Sequence, residues 1–243
     1  PHRIGLHAER SGNGFRLNGT KRFVPFGHVA DLLIVAARTS GAPDDVDGIT
    51  LFAVPGDAAI ASSRRLADAS LAAQLDFVDV QVDGDAAIGE VDGGRGPLGT
   101  ILTVLRTGAA SEMLGLANGA TDMTMAYLRD RRQFGQAIGS FQALQHRAAH
   151  LYCELEVARA AVLKAQQLLD QGAEAADRAA TVAKGMVGFA SLLAVQEGVQ
   201  MHGGIGMTDE YDIGFYMKRQ RVLAELYGDS DFHADRLARL SGY

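Results

Sequence analysis

The chain has 243 residues, with 23 basic and 29 acidic side chains, a net charge of −6, 47% hydrophobic residues and no tryptophan. This length fits one large domain or two modest ones, either able to bury a core, and the composition argues against intrinsic disorder. Mild acidity without a clustered Lys/Arg face argues against a nucleic-acid surface, and the lone Cys153 can form neither an intrachain disulfide nor a thiolate metal cluster, which suits a reducing cytoplasm.

From Gly12 to about Gly89 the sequence reads as short extended segments, Gly14 to Val24, Asp31 to Thr39, Gly48 to Gly56 and Leu75 to Gly84, separated by turn residues. The last alternates, with Val78, Val80 and Val82 against Asp79, Gln81 and Asp83. Asn18-Gly19 carries a hairpin signal, because both residues tolerate positive φ. Four glycines and a proline in VDGGRGPLG, Val91 to Gly99, mark a boundary. Beyond it the spacing predicts a helix from about Leu98 to Asp130 with a stripe of Leu105, Ala109, Leu116 and Met123. Ser140 is the expected N-cap of a second helix, striped by Phe141, Leu144, Ala148, Leu151, Leu155, Ala158 and Val162. A third is expected from about Ala173 to Met201, ended by HGGIG, with shorter helices near Tyr211 to Leu226 and Ser230 to Leu240. The reading is an α+β chain: a small antiparallel β domain over residues 1–92, then an antiparallel four-helix-type bundle over 93–243. No apolar run approaches the roughly 18 to 20 residues of a membrane span, and no His, Cys or carboxylate spacing suggests a metal.

Two loops attract attention. RRQFGQAIGSFQ, Arg131 to Gln142, combines guanidinium groups, a glycine turn and aromatics, and Arg131 is suited either to bidentate phosphate contact or to capping its own helix. QMHGGIGMTDEY, Gln200 to Tyr211, places three glycines after a long helix, as close backbone approach to a ligand or a plain C-cap would require. His146 and His202 read as packing or hydrogen-bonding residues.

Taken in order along the chain, these segments resemble the acyl-CoA dehydrogenase family. LNGTKRFVPFGHVAD (Leu17 to Asp31) is similar to the LNGxKxWITNG signature of its middle domain, RRQFGQAIGSFQ to RxxFGxxIxxFQ, and QMHGGIGMTDEY to Q-x-x-GGxG-x-x-x-E. The resemblance implies an FAD enzyme that desaturates an acyl-CoA thioester: a carboxylate takes the α-proton, a hydride leaves Cβ for the flavin, and hydrogen bonds to the thioester carbonyl acidify the α-carbon. It implies an electron-transfer flavoprotein as acceptor and homo- or hetero-oligomers, with FAD across a subunit interface. Carried over residue by residue, Phe23, Val24 and Pro25 lie beside the isoalloxazine, where Pro25 replaces the family's threonine donor. Arg131, Phe134, Phe141, Gln142, Gln200, Gly203 and Gly204 hold pyrophosphate and adenosine, and Asp229, with Ser230 and Asp231 after it, approaches the cofactor. Leu105, Arg106 and Ala109 are expected on the substrate side of the first helix. The resemblance covers roughly the last two-thirds of a family member; the N-terminal helical domain and its TEPxxGSD loop fall outside it, supplied by a separate chain or by the rest of a longer one.

The general base is the irregular point. The glutamate of the family's YEGT falls on Tyr227, whose phenol is a poor substitute but whose backbone N–H can still donate to the thioester oxygen. The alternative family position, one residue before Arg106, holds Leu105. Glu112, seven residues on, returns to the same helix face about 10 Å further along, where an unpaired carboxylate would be driven toward a basic pKa; it is either the base or one half of an ion pair at the bundle edge. ASEMLG and LYGDSDFHADRLARL resemble actinobacterial-type members acting on steroid side chains or other bulky acyl-CoAs, several of them hetero-oligomeric. Three readings stay open: an active dehydrogenase with Glu112 as base, a non-catalytic subunit of a hetero-oligomer, and a helical interaction module without cofactor.

Overall fold

The structure is a computed structural model describing residues 3–243. It divides into two compact units between Ile101 and Leu102, a β sheet followed by helices, in keeping with the mixed architecture expected.

The first unit carries β1 (His7–Ser11), β2 (Gly14–Pro25), β3 (Leu32–Arg38), β4 (Ile49–Pro55), β5 (Ile60–Arg65), β6 (Leu71–Val82) and β7 (Ala87–Ile88), in the order β5-β6-β2-β1-β3-β4-β7. All pairings are antiparallel except the short parallel contact of β1 with β3. Leu6, Phe15, Leu17, Phe52, Leu75 and Phe77 form the buried side. The four expected segments coincide with β2, β3, β4 and most of β6, which starts four residues earlier, at Leu71; β1, β5 and β7 have no counterpart among them, and β5, exposed throughout, has no alternation to read.

Two details differ from expectation, and both are bulges. Asn18-Gly19 lies inside β2 and makes no hairpin; the turn is at Gly12-Asn13, between paired Ser11 and Gly14. Opposite Asn18, β6 carries an extra residue, with Leu17 facing Val80 but Gly19 facing Phe77. The Asn18 amide holds the bulge, donating to Asp79 Oδ1 at 3.1 Å and accepting from the Asp79 N–H at 2.9 Å. Val78 is therefore thrown outward, 65% exposed, out of phase with Val80 and Val82. Gly19 is required there: at φ +137° a Cβ would lie 2.9 Å from the Leu6 Cα. The second bulge adds a residue to β2 between Lys21 and Val24.

The helices are α1 (Arg95–Asp130), α2 (Gln142–Asp170), α3 (Ala176–His202), α4 (Ile213–Glu225) and α5 (Ser230–Leu240). α1 starts inside the glycine-rich stretch expected to bar regular structure; Pro97 falls in its first turn, where no intrahelical N–H bond is lost. Its buried face is also rotated from the expected stripe. Thr103, Arg106, Ala110, Met113, Ala117, Ala120, Thr124 and Leu128 are buried, whereas Leu105 is exposed and Leu116 and Met123 only partly covered. Polar residues disguised this face, the threonine hydroxyls bonding within the unit: Thr107 donates to the Thr103 carbonyl at 2.9 Å and Thr124 to that of Ala120 at 2.7 Å. On α2, Leu151, Leu155, Ala158 and Val162 are buried as expected. Ser140 does not cap it; its hydroxyl donates to the Ala137 carbonyl at 2.7 Å, and Phe141 stands at the cap position.

α3 is the central helix, its Ala180, Ala183, Val187, Ala190 and Ala194 buried against α1 and α2. Among the described residues Ala176–Met207 is long and apolar enough to cross a membrane by length and composition alone, and more than half of its most apolar 18-residue stretch is buried inside the unit. Gly188 lets α5 approach closely, since a Cβ would lie 2.1 Å from Ser230 Oγ, which donates to the Gly185 carbonyl at 3.0 Å.

Buried and half-buried charges tie α1, α3 and α5 together. Asp177 accepts from Arg106 Nη1 at 3.2 Å and from Thr103 Oγ1 at 3.2 Å, and pairs with Arg236. Next to them His233 is 1% exposed. Burial first, then the positive charges of Arg106, Lys184 and Arg236, push its pKa down to about 4, only partly offset by a backbone group of Tyr227.

Two outcomes follow. Leu151→Ala lowers stability by about 2–5 kcal/mol, read from the urea midpoint of the helical unit. Because folded His233 titrates near 4 against 6.5 when unfolded, the unfolded state binds the extra proton between those values. Stability is then complete above about pH 6.5 and falls on acidification toward pH 4, by roughly 3 kcal/mol, and His233→Gln flattens that slope in pH-dependent urea melts.

Candidate functional site

One end of the helical unit gathers both loops of interest. The loop after α1 is a two-stranded hairpin, β8 (Arg132–Gln133) paired with β9 (Gln136–Ala137). Its turn residues are Phe134 and Gly135 at φ +53° and +80°. Turns of this type favour Asn-Gly, so a phenylalanine here is held at a cost of about 1–2 kcal/mol. Phe134 is 90% exposed, touching the Phe141 ring edge-on at 6.1 Å between centroids. The Arg131 backbone closes the loop by accepting from Ile138 N–H at 2.8 Å, while its side chain is exposed and has no hydrogen bond or ion pair among the described residues. Gln142 is exposed at the start of α2.

The diglycine turn stands at the same end. Tyr127, one turn before Arg131, stacks on His202 at 4.5 Å, and Tyr211 covers the other approach to that ring at 4.6 Å. His202 is buried as a packing residue: Nδ1 lies 2.6 Å from the Gly198 carbonyl, and burial lowers its pKa, so it is neutral. His146 is exposed on α2. Gly203, at φ +65°, and Gly204 have no atom within 4 Å of a Cβ position, and with Gln200 they are exposed.

The turn between α4 and α5 holds the second group. Tyr227 has φ +61° and Gly228 φ +104°; a Cβ at Gly228 would strike Phe232 Cδ1 at 2.3 Å. Leu226 N–H donates to Val222 and Gly228 N–H to Glu225, but the Tyr227 N–H has no acceptor among the described residues. Partial burial pushes the Tyr227 phenol pKa up, so it is protonated at neutral pH. The Asp229 carboxylate caps α5, its Oδ1 accepting from Phe232 N–H at 2.8 Å.

Glu112 departs from the isolated carboxylate on an apolar face. Its side chain is half exposed, and Arg219 of α4 donates to Oε1 from Nε at 2.8 Å and from Nη2 at 2.6 Å. Arg219, one turn after Phe215 within α4, carried no signal pointing to α1. Of the residues expected on the substrate side of α1, Arg106 and Ala109 are buried, Arg106 being bonded to Asp177, and Leu105 is exposed.

In the β unit, the second bulge presents Phe23 at φ +54°, 73% exposed, and Phe26 follows at φ +56°, 66% exposed. Val24 and Pro25 are partly covered and pair with Ala73 and Ala72 of β6. Pro25 has neither hydroxyl nor N–H to offer. No group of three or more His, Cys, Asp or Glu side chains able to hold a metal occurs among the described residues.

Residues 5–83 match the model of the acyl-CoA dehydrogenase middle domain and 92–241 that of the acyl-CoA dehydrogenase C-terminal domain. The rat mitochondrial short/branched chain specific acyl-CoA dehydrogenase is 30% identical over 97% of this chain and 55% of its own length. The acyl-CoA dehydrogenase IpdE2 of Mycolicibacterium smegmatis is 43% identical over 49% of this chain and 36% of its own. A solved structure of the Tcur3481-Tcur3483 steroid ACAD superposes with a TM-score of 0.86 at 32% identity, over 99% of this chain and 63% of that one. The chain thus spans about half the length of the rat relative, and members of the family it matches are FAD-dependent flavoproteins. By sequence and by fold, the chain belongs to the acyl-CoA dehydrogenase family.

Proposed function

We propose that this chain is an FAD-binding subunit of an acyl-CoA dehydrogenase that desaturates a thioester at Cα and Cβ, and that the general base comes from outside its α4–α5 turn and from a group other than Glu112. The observation that carries the reading is the turn itself: at the base position of the family, Tyr227 offers a protonated phenol and an unpartnered main-chain N–H.

The residues present fit FAD. A free arginine, an exposed phenylalanine held at a strained turn and an open diglycine turn share one end of the helical unit, as a ligand with phosphates and an aromatic base requires. Arg131 would pair with phosphate and Phe134 and Phe141 would flank adenosine; Phe23 is an exposed aromatic suited to packing on the ring system. The one misfit is Pro25, so a donor to the flavin N5 must be another group. When bound, FAD supplies the two-electron acceptor for the hydride lost from Cβ. The protein's part is to polarise the carbonyl: Tyr227 N–H donates to the thioester oxygen and stabilises the negative charge that builds there as the α-proton leaves. Glu112, whose Oε1 accepts two N–H groups from Arg219, stays an ion-pair partner.

The name of the steroid ACAD, which joins two components, supports a hetero-oligomeric setting and a bulky acyl group; an electron-transfer flavoprotein is the acceptor this reading calls for. The second reading, Glu112 as base after release from Arg219, is kept by its place on α1 alone.

Anaerobic bleaching of the 450-nm-region flavin band by an acyl-CoA panel, on the chain purified with its partner polypeptides, tests the proposal. Bleaching survives in Tyr227→Phe, which keeps the N–H, and in Glu112→Gln. Loss of bleaching in Glu112→Gln overturns the assignment in favour of Glu112, and a colourless assembly with no flavin uptake leaves only the interaction module. Phe134→Asn separates strain from function: the protein gains about 1 kcal/mol in thermal or urea melts, while FAD dissociates roughly tenfold more readily in fluorescence titrations.

A further inference from the structure

A lysine lies within the apolar core helix. Lys184 is 1% exposed, in the middle of α3. An ammonium removed from water must find oxygen acceptors, and the nearby carboxylates are not its hydrogen-bond partners. Nζ donates instead to the Ala224 carbonyl at 3.1 Å and to the Gly228 carbonyl at 3.0 Å. These two carbonyls bracket Tyr227: one belongs to the last turn of α4, the other to the residue after it.

The bracketed segment is strained. Two consecutive residues, Tyr227 and Gly228, take positive φ, and for a tyrosine this conformation is unfavourable unless the surroundings enforce it. From the other side α5 is pinned by the Asp229 cap and by Ser230 bonded to the Gly185 carbonyl, one residue along α3 from Lys184. With both flanking carbonyls turned toward the ammonium, the Tyr227 N–H is left without an acceptor among the described residues.

We infer that Lys184 is a positioning residue: its ammonium clamps the carbonyls of Ala224 and Gly228 and thereby holds the α4–α5 turn in the conformation that leaves the Tyr227 N–H free for a substrate oxygen. The second half of the statement rests on the function proposed above; the clamp does not. Lys184 touches neither substrate nor cofactor and acts through the main chain of the turn.

The test is amide hydrogen exchange read by mass spectrometry on the flavin-loaded assembly, comparing wild type with Lys184→Met and Lys184→Arg. In the Met variant, exchange across residues 226–229 accelerates tenfold or more while the Leu151 to Val162 stretch of α2 exchanges as in wild type, and Arg, which keeps a charged donor, restores part of the protection. Equal acceleration in both segments, or none in the turn, overturns the clamp. Should the Met variant not fold, Lys184→Gln, which retains a neutral donor, carries the same comparison. The consequence for chemistry is read separately: with the acyl-CoA that bleaches the wild type, Lys184→Met lowers the bleaching rate at saturation at least tenfold with FAD affinity unchanged. An unaltered rate beside a loosened turn removes the link to substrate and leaves the clamp standing, whereas a wild type that no acyl-CoA bleaches counts against the proposed function alone.

Discussion

A buried ammonium cannot be left without oxygen, and in this protein that requirement shapes the turn on which the chemistry depends. The buried side of α3 is made mostly of small and apolar residues, and Lys184 stands among them. Burial drags its pKa down to about 8, against the pull of Asp229 and Glu225, so it is still charged at neutral pH. The main-chain oxygens of the α4–α5 turn satisfy it, and that choice fixes Tyr227 in a conformation a tyrosine does not adopt unaided. The small residues Gly185 and Gly188 serve the same end, since they let α5 come close enough for Ser230 to bond to α3. Helix packing, a buried charge and a strained turn form one arrangement.

The opposite part of the helical unit uses strain differently. Phe134 occupies a turn position that Asn would fill more stably, and it is left almost wholly in solvent. The Arg131 guanidinium, four residues after Tyr127, has no partner within the described residues. Strain and unspent donors at the same loop are hard to account for within this chain and are economical if a phosphate-bearing aromatic ligand completes them.

Much of the fold was legible in the sequence because period and turn chemistry agreed: α2, with its Leu151, Leu155, Ala158 and Val162 face, reads directly from spacings of three and four. Legibility failed where polar residues are buried or a strand slips. Thr103, Arg106, Thr107 and Thr124 hide the true core face of α1: the hydroxyls of Thr107 and Thr124 bond back to their own helix and pack as if apolar, and Thr103 and Arg106 bond to Asp177. The bulge at Asp79 inverts the apparent alternation of Val78, and Asn18-Gly19, which looks like a hairpin turn, makes that bulge instead. At the site, the loop motifs were visible as motifs. The ion pair of Glu112 with Arg219 was not, since the two lie far apart in the chain and only the packing of α4 against α1 joins them. Lys184 left one trace, a cation among the apolar residues of its helix, whose partners are backbone oxygens that no side-chain pattern reports.

The most direct measurement is a structure of the flavin-loaded assembly with a bound, unreactive acyl-CoA analogue. The account predicts the thioester oxygen within about 2.6–3.2 Å of the Tyr227 main-chain nitrogen, Glu112 still paired with Arg219, and the carboxylate nearest the α-carbon contributed by a residue outside this turn. A thioester oxygen held elsewhere, or Glu112 released from Arg219 and standing over the α-carbon, would contradict it.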